Sequence, residues 1–444
     1  MSKWIHTTLK DVCLKEKGSI ISGPFGSNIS SKFFVKEGVP VIRGNNLSLS
    51  LDKFYDDGFV FVTKEKAEEL NCYAQKGDLL FTAAGTIGQV GILESPLKYE
   101  KYVISNKQLH ARIDTTKVSL LYAYYWFASS WMQDYFIRNN KGSTVPLITL
   151  TELKDAPISY PEDLSVQRKI VENIESISCK IDINRNICSE LEFMAKTLYD
   201  YWFTQFDFPN AEGKPYRTSG GEMVWNEQLK RDIPKGWNCS VIANHIGNSK
   251  SGDWGKEAAT GNYLKEVICI RGADFPSING DKILAAPARY ILEKNANKVL
   301  SSGDIIVEIS GGSPTQSTGR ICYINENTIR RFDKDIITSN FCRAFSTKKK
   351  AEQYWLYLLW KTLYDAGVLF GFEGKTTGIK NLLFDDFCAQ YKIVCPEEDI
   401  LEKFHKIVSP IFEKIQQYNI ENDELTKLRD WLLPMLMNGQ ATVE

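Results

Sequence analysis

The sequence Val41-Ile42-Arg43-Gly44 closes an apolar run in the first half of the chain, and Cys269-Ile270-Arg271-Gly272 closes a similar run in the second half. Further on, Lys76-Gly77-Asp78-Leu79-Leu80-Phe81 returns as Ser302-Gly303-Asp304-Ile305-Ile306-Val307. Three more landmarks recur in the same order: Ser105-Asn106 as Ser339-Asn340, Gly142-Ser143-Thr144 as Gly374-Lys375-Thr376, and Pro161 before a long helical pattern as Pro396 before another.

The spacing between the two copies of these landmarks is nearly constant. It ranges from 226 residues (303 − 77) to 235 residues (396 − 161). A near-constant offset over several landmarks indicates a duplicated domain. A protein with two equivalent domains suits a ligand with two comparable sites, and DNA is the commonest such ligand.

Length and composition indicate a globular protein with more than one core. The 444 residues are too many for a single hydrophobic core. The hydrophobic fraction of 43% and the charged fraction of 25% are ordinary for globular proteins. A formal net charge of −1 gives no bulk attraction to DNA. Because charge can be segregated and partner subunits can supply phosphate contacts, DNA binding has to be argued from the organisation of the chain.

The sequence shows no pattern of export, membrane insertion or metal binding. The stretch from Met1 to His6 has no apolar core of signal-peptide length, and no segment is long enough to span a membrane. The ten cysteines form no Cys-x-x-Cys pair and are expected to be reduced thiols. The four histidines lie far apart, which does not favour a zinc site. We therefore expect a cytoplasmic protein without a metal.

Each half of the chain has the pattern of an α+β domain. Residues 38–42, 78–82 and 89–93 are short apolar runs bounded by turn residues, which predicts buried strands. Residues 120–137, rich in Leu, Tyr and Trp, predict a helix that packs on this sheet, and residues 353–364 predict its counterpart. Mostly non-parallel strands with flanking helices predict the fold class α+β, with two duplicated mixed domains.

Long helical patterns follow both halves. Their core positions alternate in steps of four and three residues, which is the seam of a coiled coil. The 29 residues from Ile170 to Leu198 span about 45 Å at ~1.5 Å per residue, so two such helices packed antiparallel form a spacer. The main seam positions are Ile174, Ile181, Asn184 and Leu191 in the first helix and Phe404, Ile411, Asn422 and Leu425 in the second.

Each seam contains one asparagine, Asn184 or Asn422. The two residues either mark a solvated or irregular stretch or fix the register between helices that pack on each other, and the sequence leaves both interpretations open. The predicted limits are residues 1–160 for the first domain, 161–203 for the central spacer helix, 204–236 for a Pro- and Gly-rich linker loop, 237–395 for the second domain and 396–439 for the C-terminal spacer helix.

Motifs that carry catalysis are missing from the sequence. There is no Gly-x-x-x-x-Gly-Lys-Ser/Thr phosphate loop, no Gly-x-Gly-x-x-Gly after a strand, and no Asn/Asp-Pro-Pro-aromatic run of the adenine methyltransferase type. The stretch Glu373-Gly374-Lys375 matches the tail of a nuclease motif, but no acidic partner precedes it at a suitable spacing. The histidines have no evident Ser or Cys partner, which favours surface or packing roles.

Polar, glycine-studded loops lie at matching places in both halves. Residues 83–89 match 310–320, residues 22–28 match 249–256, and residues 140–144 match 373–377. Gln can bond adenine at two positions and Arg can bond guanine, whereas Lys and hydroxyl groups suit phosphates. Hairpin turns explain the glycines equally well, but not why the loops differ while their flanking strands agree.

These loops and their neighbours supply the candidate DNA contacts. Arg43 and Arg271 close the repeated Ile-Arg-Gly stretch, and structural and DNA-contact roles are both open for them. Residues that differ between matched landmarks are the better candidates for reading sequence. The candidates are Ser27, Asn28, Arg43, Asn45, Thr86, Gln89, Lys107, Lys141 and Ser143 in the first half and Lys250, Lys256, Arg271, Thr315, Gln316, Arg320, Lys375 and Thr376 in the second.

The order of the landmarks resembles that of the specificity subunits of type I restriction–modification systems. The resemblance covers essentially the whole chain and includes the stretch from Gly220 to Trp237 and the ending from Leu425 to Gly439. It implies two target-recognition domains, each reading one half of a bipartite double-stranded DNA target across a helical spacer. At ~3.4 Å per base pair, a rod of about 45 Å matches roughly 13 base pairs as an upper guide.

The same resemblance implies a division of labour. It implies two modification subunits that carry S-adenosylmethionine and methylate adenine at N6, and two ATP- and Mg-dependent motor-nuclease subunits that restrict. This chain would be a non-catalytic specificity subunit that binds no cofactor itself. The alternative is a two-lobed adaptor that grips two copies of a protein, which the near-zero net charge and the coiled-coil seam also suit. Sequence-dependent DNA binding separates the two hypotheses.

Overall fold

The computed structural model describes residues 3–280, 284–313, 316–374 and 379–441. The chain divides into unit 1, formed by Met1–Cys179 and Lys427–Glu444, and unit 2, formed by Lys180–Thr426. Both dividing points fall inside long helices, because the two ends of each helix pack into different cores. The domain limits given in the sequence analysis describe recognition domains and spacer helices, whereas the two units are divided by their hydrophobic cores. The predicted limits therefore stay predictions.

The strands of unit 1 form two four-stranded sheets and one two-stranded sheet in the described part of the chain. They are β1 (Trp4–Thr8), β2 (Ile20–Ser22), β3 (Val39–Ile42), β4 (Val60–Val62), β5 (Tyr73–Gln75), β6 (Asp78–Thr82), β7 (Val90–Ile92), β8 (Lys101–Ile104), β9 (Gln108–Arg112) and β10 (Pro157–Pro161). The sheet orders are β2-β9-β6-β7, β4-β3-β8-β5 and β1-β10, and among the described strands of this unit only β3 and β8 pair in parallel.

The helices of unit 1 cover its sheets. They are α1 (Lys64–Leu70), α2 (Leu120–Ala128), α3 (Ser130–Arg138), α4 (Leu150–Lys154) and the first part of α5 (Leu164–Tyr199). The single helix predicted over residues 120–137 was wrong in one respect, because the chain breaks at Ser129. This residue is extended, with φ −65° and ψ 154°, and its hydroxyl group donates to the Trp126 carbonyl oxygen at 2.5 Å. A side chain that bonds the backbone locally competes with helix continuation.

Unit 2 is built from the following elements in the described part of the chain. Its strands are β11 (Met223–Asn226), β12 (Arg231–Pro234), β13 (Asn238–Val241), β14 (Ile246–Ser251), β15 (Tyr263–Ile270), β16 (Ala288–Leu292), β17 (Ile305–Glu308), β18 (Ser310–Gly311), β19 (Ile321–Tyr323), β20 (Ile336–Thr338), β21 (Cys342–Thr347), β22 (Glu373–Gly374), β23 (Lys380–Leu382) and β24 (Lys392–Cys395). Its helices are α6 (Phe275–Asn279), α7 (Glu326–Arg330), α8 (Gln353–Asp365), α9 (Phe384–Gln390) and α10 (Glu398–Met437).

The sheets of unit 2 repeat those of unit 1. The order β14-β21-β17-β19 corresponds to β2-β9-β6-β7, β16-β15-β20 corresponds to β4-β3-β8, and β13-β24 corresponds to β1-β10. The one parallel pair recurs as well, since Ile42 lies opposite Ile104 in unit 1 and Ile270 lies opposite Thr338 in unit 2. The α+β class and the duplication predicted from the sequence are therefore confirmed.

The segment between the two halves, predicted as a linker loop over residues 204–236, contains the hairpin β11–β12. It is also held by aromatic packing. The Phe208 ring stacks on Trp237 with centroids 4.9 Å apart, and the Phe206 ring meets Trp237 edge-on at 5.6 Å. All three side chains are buried in the core of unit 2. The Pro and Gly content of this segment predicts a loop, but its buried aromatic rings anchor it to the core.

The long helices α5 and α10 pair within each unit. In unit 2 the Asn184 side chain contacts Asn422, the Cys188 sulfur lies 3.6 Å from the Ile415 carbonyl oxygen, and the Tyr199 ring packs near Phe404. Rising residue numbers on α5 meet falling numbers on α10, so the pairing is antiparallel, as predicted. In unit 1 the core contains members of both helices, namely Ile170, Val171, Ile174, Leu433, Leu436 and Met437.

The predicted seam positions lie between the paired helices. Ile174, Ile181, Asn184, Phe404, Ile411 and Asn422 are buried, and Leu191 and Leu425 are half-buried. Beyond Leu425 on α10, Arg429 is buried and Leu428 is exposed.

The remaining general features concern membranes, thiols and metals. No described helix is long and apolar enough to cross a membrane. All ten cysteines are free, and burial raises the pKa of thiols such as Cys13 and Cys322 to about 12. Within the described residues, no group of three or more His, Cys, Asp or Glu side chains is placed to hold a metal ion.

Candidate nucleic-acid interface

A tight turn joins β8 to β9 in unit 1, and the same turn joins β20 to β21 in unit 2. In unit 1 the Gln108 N–H donates to the Ser105 carbonyl oxygen at 3.1 Å, and the Ser105 N–H donates to Ile42 at 3.0 Å. In unit 2 the Cys342 N–H donates to Ser339 at 2.9 Å, and the Ser339 N–H donates to Ile270 at 2.8 Å. Each turn is therefore fixed to the end of the strand that carries the Ile-Arg-Gly landmark.

Two candidate loops of unit 1 bond to this turn, and a third bonds to one of those loops. The Gly23 N–H donates to the Gln108 carbonyl oxygen at 2.9 Å, and the Ala83 N–H donates to Lys107 at 2.7 Å. The Gly85 N–H in turn donates to Pro146 at 2.9 Å. These bonds bring distant parts of the sequence to one end of the sheet β2-β9-β6-β7. We call this surface the unit 1 loop edge and define it as residues 22–28, 43–46, 83–89, 105–108 and 140–148.

Unit 2 has the same bond from the loop after β17 to the third turn residue and a related bond from the loop after β14. The Ile309 N–H donates to the Phe341 carbonyl oxygen at 2.8 Å, the Leu382 N–H donates to Ile309 at 2.8 Å, and the Asp253 N–H donates to Thr338 at 2.8 Å. The Leu382 bond has its counterpart in unit 1, where the N–H of Ile148 donates to Ala83. We call this surface the unit 2 loop edge and define it as the described parts of residues 249–256, 271–274, 309–320, 339–342 and 373–381.

The glycines that start these loops serve the fold. A Cβ atom on Gly23 would lie 1.8 Å from the Ser105 carbonyl oxygen, and one on Gly252 would lie 1.9 Å from that of Ser339. No side chain fits at such a distance, so glycine is required at the same point of both units. The close approach to the turn therefore explains the glycine at this position of both units.

Two candidates in unit 1 are occupied within the protein. The Gln89 side-chain amide donates to the carbonyl oxygens of Gly44 and Leu47 at 3.1 and 2.9 Å, and its oxygen accepts from the Thr82 hydroxyl group at 2.9 Å. Both of its N–H donors are used, so it does not have the free amide that a two-point adenine contact needs. The Arg43 guanidinium donates to the Gly58 carbonyl oxygen at 3.2 Å, which favours the structural alternative for this residue.

Three cationic candidates in unit 2 are also neutralised inside the fold. Arg320 donates two bonds to Glu308, at 2.8 and 2.7 Å, and Arg271 donates two bonds to Asp274, at 2.9 and 2.8 Å. The Lys250 ammonium lies 2.6 Å from Asp304. Bidentate Arg–carboxylate pairs are strong and directional, so these contacts fix the two arginine side chains within the fold. The prediction that Gln89, Lys250, Arg271 and Arg320 contact DNA stays a prediction, and the structure shows each of these side chains bonded within the protein.

The aspartates of the repeated Gly-Asp landmark also form ion pairs inside the fold. Asp78 is fully buried and accepts two bonds from Arg112, at 2.8 and 3.0 Å. Asp304 is buried as well and accepts from Lys250. Buried carboxylates require a cationic partner. Unit 1 supplies Arg112 from the adjacent strand β9, and unit 2 supplies Lys250 from β14, which is separated from β17 by β21.

Other candidates remain exposed at the loop edges. In unit 1 neither Lys107 nor Lys141 forms an ion pair with any described residue, so both ammonium groups are available to phosphates or bases. Thr315, Lys375 and Thr376 lie outside the described residues. The exposed candidates are Ser27, Asn28, Asn45, Thr86, Lys107, Lys141 and Ser143 in unit 1 and Lys256 and Gln316 in unit 2.

Aromatic residues at the loop edges were missed from the sequence. Phe25 is 84% exposed and Phe341 is 55% exposed, although both are large and apolar. Trp254 is partly exposed, and the Arg289 guanidinium lies 4.1 Å from its ring centroid. A pattern for two of them was present, since Gly23-Pro24-Phe25-Gly26 returns as Gly252-Asp253-Trp254-Gly255. Flat apolar side chains at such places can stack on bases or contact the thymine methyl group.

Comparison with known proteins agrees with this organisation. The family described as type I restriction modification DNA specificity domain matches residues 1–193. The chain is 27% identical over 379 residues to the type I restriction enzyme MjaIX specificity subunit of Methanocaldococcus jannaschii, which covers 83% of this chain and 78% of that one. It is 23% identical over 420 residues to the type I restriction enzyme HindI specificity subunit of Haemophilus influenzae, covering 82% and 87%.

A solved structure shares the fold. The crystal structure of a type I restriction–modification S subunit from M. genitalium aligns with 98% of this chain and 96% of its own, with a TM-score of 0.51 and 15% sequence identity. The shared fold consists of duplicated α+β units with paired long helices. Residues 1–193 match the family of type I restriction–modification DNA specificity domains, and over most of its length the chain is similar to two type I restriction enzyme specificity subunits.

Proposed function

We propose that each unit reads one half of a bipartite DNA sequence through its loop edge, and that the chain directs adenine-N6 methylation and restriction by partner subunits. The observation that carries this proposal is the repeated turn, with the same backbone hydrogen bonds in both units and different side chains on it. A shared scaffold with different side chains suits the recognition of two different half-sites, because base edges are distinguished by side-chain chemistry.

The proposal assigns the chemistry to other subunits. Two modification subunits would supply S-adenosylmethionine and the methyltransferase site, and two restriction subunits would supply the ATP- and Mg-dependent motor and nuclease. This chain would then act without catalytic residues or cofactors of its own. The names of its relatives, which are specificity subunits of restriction enzymes, support this division.

We also assign a partner surface to helix α5. Ile183, Phe193 and Met194 are exposed apolar side chains on this helix, and Phe193 is 68% exposed. With Ile187 and Leu191 they line a shallow groove of about 430 Å³ within unit 2. A contiguous exposed apolar patch is typical of a protein contact. In the proposal a modification subunit covers it.

The test is to co-express the chain with a matching modification subunit and map N6-methyladenine across the host DNA by single-molecule sequencing. We expect a split motif with a fixed gap. A stable complex that methylates no defined sequence would contradict sequence readout and would favour the protein-binding adaptor.

A further inference from the structure

The third residue of the repeated turn is Lys107 in unit 1 and Phe341 in unit 2. Its carbonyl oxygen accepts from the loop that follows β6, through Ala83 at 2.7 Å, or from the loop that follows β17, through Ile309 at 2.8 Å. Together with the bonds that close the turns, these contacts give Lys107 and Phe341 the same backbone position within their units. Differences between the two residues are therefore differences of side chain alone.

The neighbouring residues of the turn do not vary in this way. The first two residues are Ser-Asn in both units, and the fourth, Gln108 or Cys342, is buried. The third is exposed in both, and Phe341 keeps 55% of its surface in solvent. Within the turn, it is thus the one position that is both exposed and different.

The chemistry of the two side chains is complementary to different base pairs. A lysine ammonium group donates hydrogen bonds and suits the O6 and N7 acceptors of guanine in the major groove. A phenyl ring has no hydrogen-bonding group and suits the C5-methyl group of thymine. An exposed phenylalanine gains free energy when such a contact removes its surface from water.

We infer that this turn position determines specificity, with Lys107 selecting a guanine in one half-site and Phe341 selecting a thymine in the other. The inference rests on the proposed function. It predicts the base at which selectivity falls when each side chain is removed. The two losses of selectivity should lie in different halves of the target.

The experiment compares the methylation motif of the wild-type complex with those of Lys107→Ala, Lys107→Arg and Phe341→Ala, each co-expressed with the modification subunit. Lys107→Ala should lower the preference for one guanine about 10-fold, whereas Lys107→Arg should retain it, since arginine bonds the same two acceptors. Phe341→Ala should relax one thymine of the other half-site. The remaining positions and the gap should not change.

Two exposed residues provide matched controls. Lys17 precedes the start of β2, and the end of β2 leads into the unit 1 loop edge. Leu264 lies near the start of β15, and the end of β15 accepts the hydrogen bond from Ser339. Lys17→Ala and Leu264→Ala should leave the motif intact.

Each outcome distinguishes the inference from the proposed function. A wild-type complex without a split motif overturns the proposed function. A split motif that all three variants leave unchanged overturns only the inference. Equal loss of methylation at every site in Lys107→Ala, with the motif retained, would indicate a phosphate contact and would overturn base selection by Lys107.

Discussion

The His110 ring lies in the core of unit 1 with 1% of its surface exposed, and neither ring nitrogen has a hydrogen-bond partner among the described residues. Its Nδ1 atom is 3.8 Å from Asp78, whose oxygens are already held by Arg112. Burial lowers the pKa of His110, the Asp78 carboxylate raises it and Arg112 lowers it, with a net decrease. The folded protein therefore holds this ring neutral.

Acid should destabilise the protein through His110. A histidine whose folded pKa lies below its unfolded value of about 6.5 takes up a proton more readily in the unfolded chain, so stability is lost as the pH falls below that value. In His110→Leu the loss of stability between pH 7 and pH 5 should be smaller than in the wild type, measured by urea unfolding. His6→Gln, at the exposed centre of β1, is the control. An unchanged pH dependence in His110→Leu would contradict this account.

His245 in unit 2 has the opposite environment. Its Nδ1 atom lies 2.8 Å from a Glu352 oxygen and its Nε2 atom lies 3.1 Å from the Ser240 hydroxyl group. Burial lowers the pKa of His245, but Cys395 and Glu352 raise it, and the net pKa is about 9. A group whose folded pKa is raised stabilises the protein fully below its unfolded pKa and loses that contribution as the pH rises through the folded value.

Alkaline pH should therefore destabilise the protein through His245. The contribution should be complete below about pH 6.5 and should fall by at most about 3 kcal/mol as the pH rises through 9. In His245→Gln the free energy of unfolding should depend less on pH between 6.5 and 9.5 than in the wild type. Equal slopes for the two proteins over this range would show that the ion pair with Glu352 does not stabilise the fold.

The paired helices α5 and α10 contain a polar contact at the centre of their seam. The Asn184 amide donates to Asn422 and to Glu421, both at 2.9 Å, and Asn184 and Asn422 are both buried. The two asparagines that the sequence marked separately therefore meet. Of the two interpretations left open, this contact supports a role in register, because a buried polar pair is satisfied in one alignment of the helices.

The register role predicts the behaviour of single and double variants. Asn184→Leu leaves the buried Asn422 side-chain oxygen without its donor and should cost about 1–3 kcal/mol of stability. Replacing both residues by Leu should restore most of that loss, since an apolar pair can replace a buried polar pair. Urea unfolding of the four proteins measures the coupling. A double variant as unstable as the sum of the two single variants would contradict the pairing.

The length of the helices is predicted to set the gap between half-sites. One heptad added to α5 between residues 177 and 181, and one added to α10 between residues 425 and 429, keeps both seams in phase. Seven residues add about 10 Å of helix, which corresponds to about three base pairs. The methylation motif should keep both halves and gain a longer gap. A gap of unchanged length would exclude the helices as the ruler.

Local patterns in the sequence predict the strands and helices well. They predict poorly which polar side chains are bonded within the protein. The strands, the duplicated order and the coiled-coil seam follow from periodicity, which is a property of neighbouring residues. The fate of Gln89 depends on Gly44 and Leu47, more than forty residues away along the chain, and that of Lys250 depends on Asp304. Such partners are brought together by sheet order, which periodicity does not specify. The sequence alone therefore does not separate polar residues that are bonded within the fold from polar residues that are exposed.

The two units use one topology for two different surfaces. The buried framework is shared, down to the glycines Gly23 and Gly252 and the aspartates Asp78 and Asp304. The exposed residues differ, with Phe25, Lys107 and Lys141 in unit 1 and Trp254 and Phe341 in unit 2. A duplicated framework retained with divergent surfaces fits independent readout of two half-sites.

Independent readout is tested most directly by exchanging one recognition domain. Residues 240–390, which lie within unit 2, would be replaced by the matching segment of a relative that has a different motif. The methylation motif of the hybrid complex would then be mapped by single-molecule sequencing. We predict that one half-site changes to that of the relative while the other half-site and the gap are retained. A change in both half-sites would contradict independent readout by the two units.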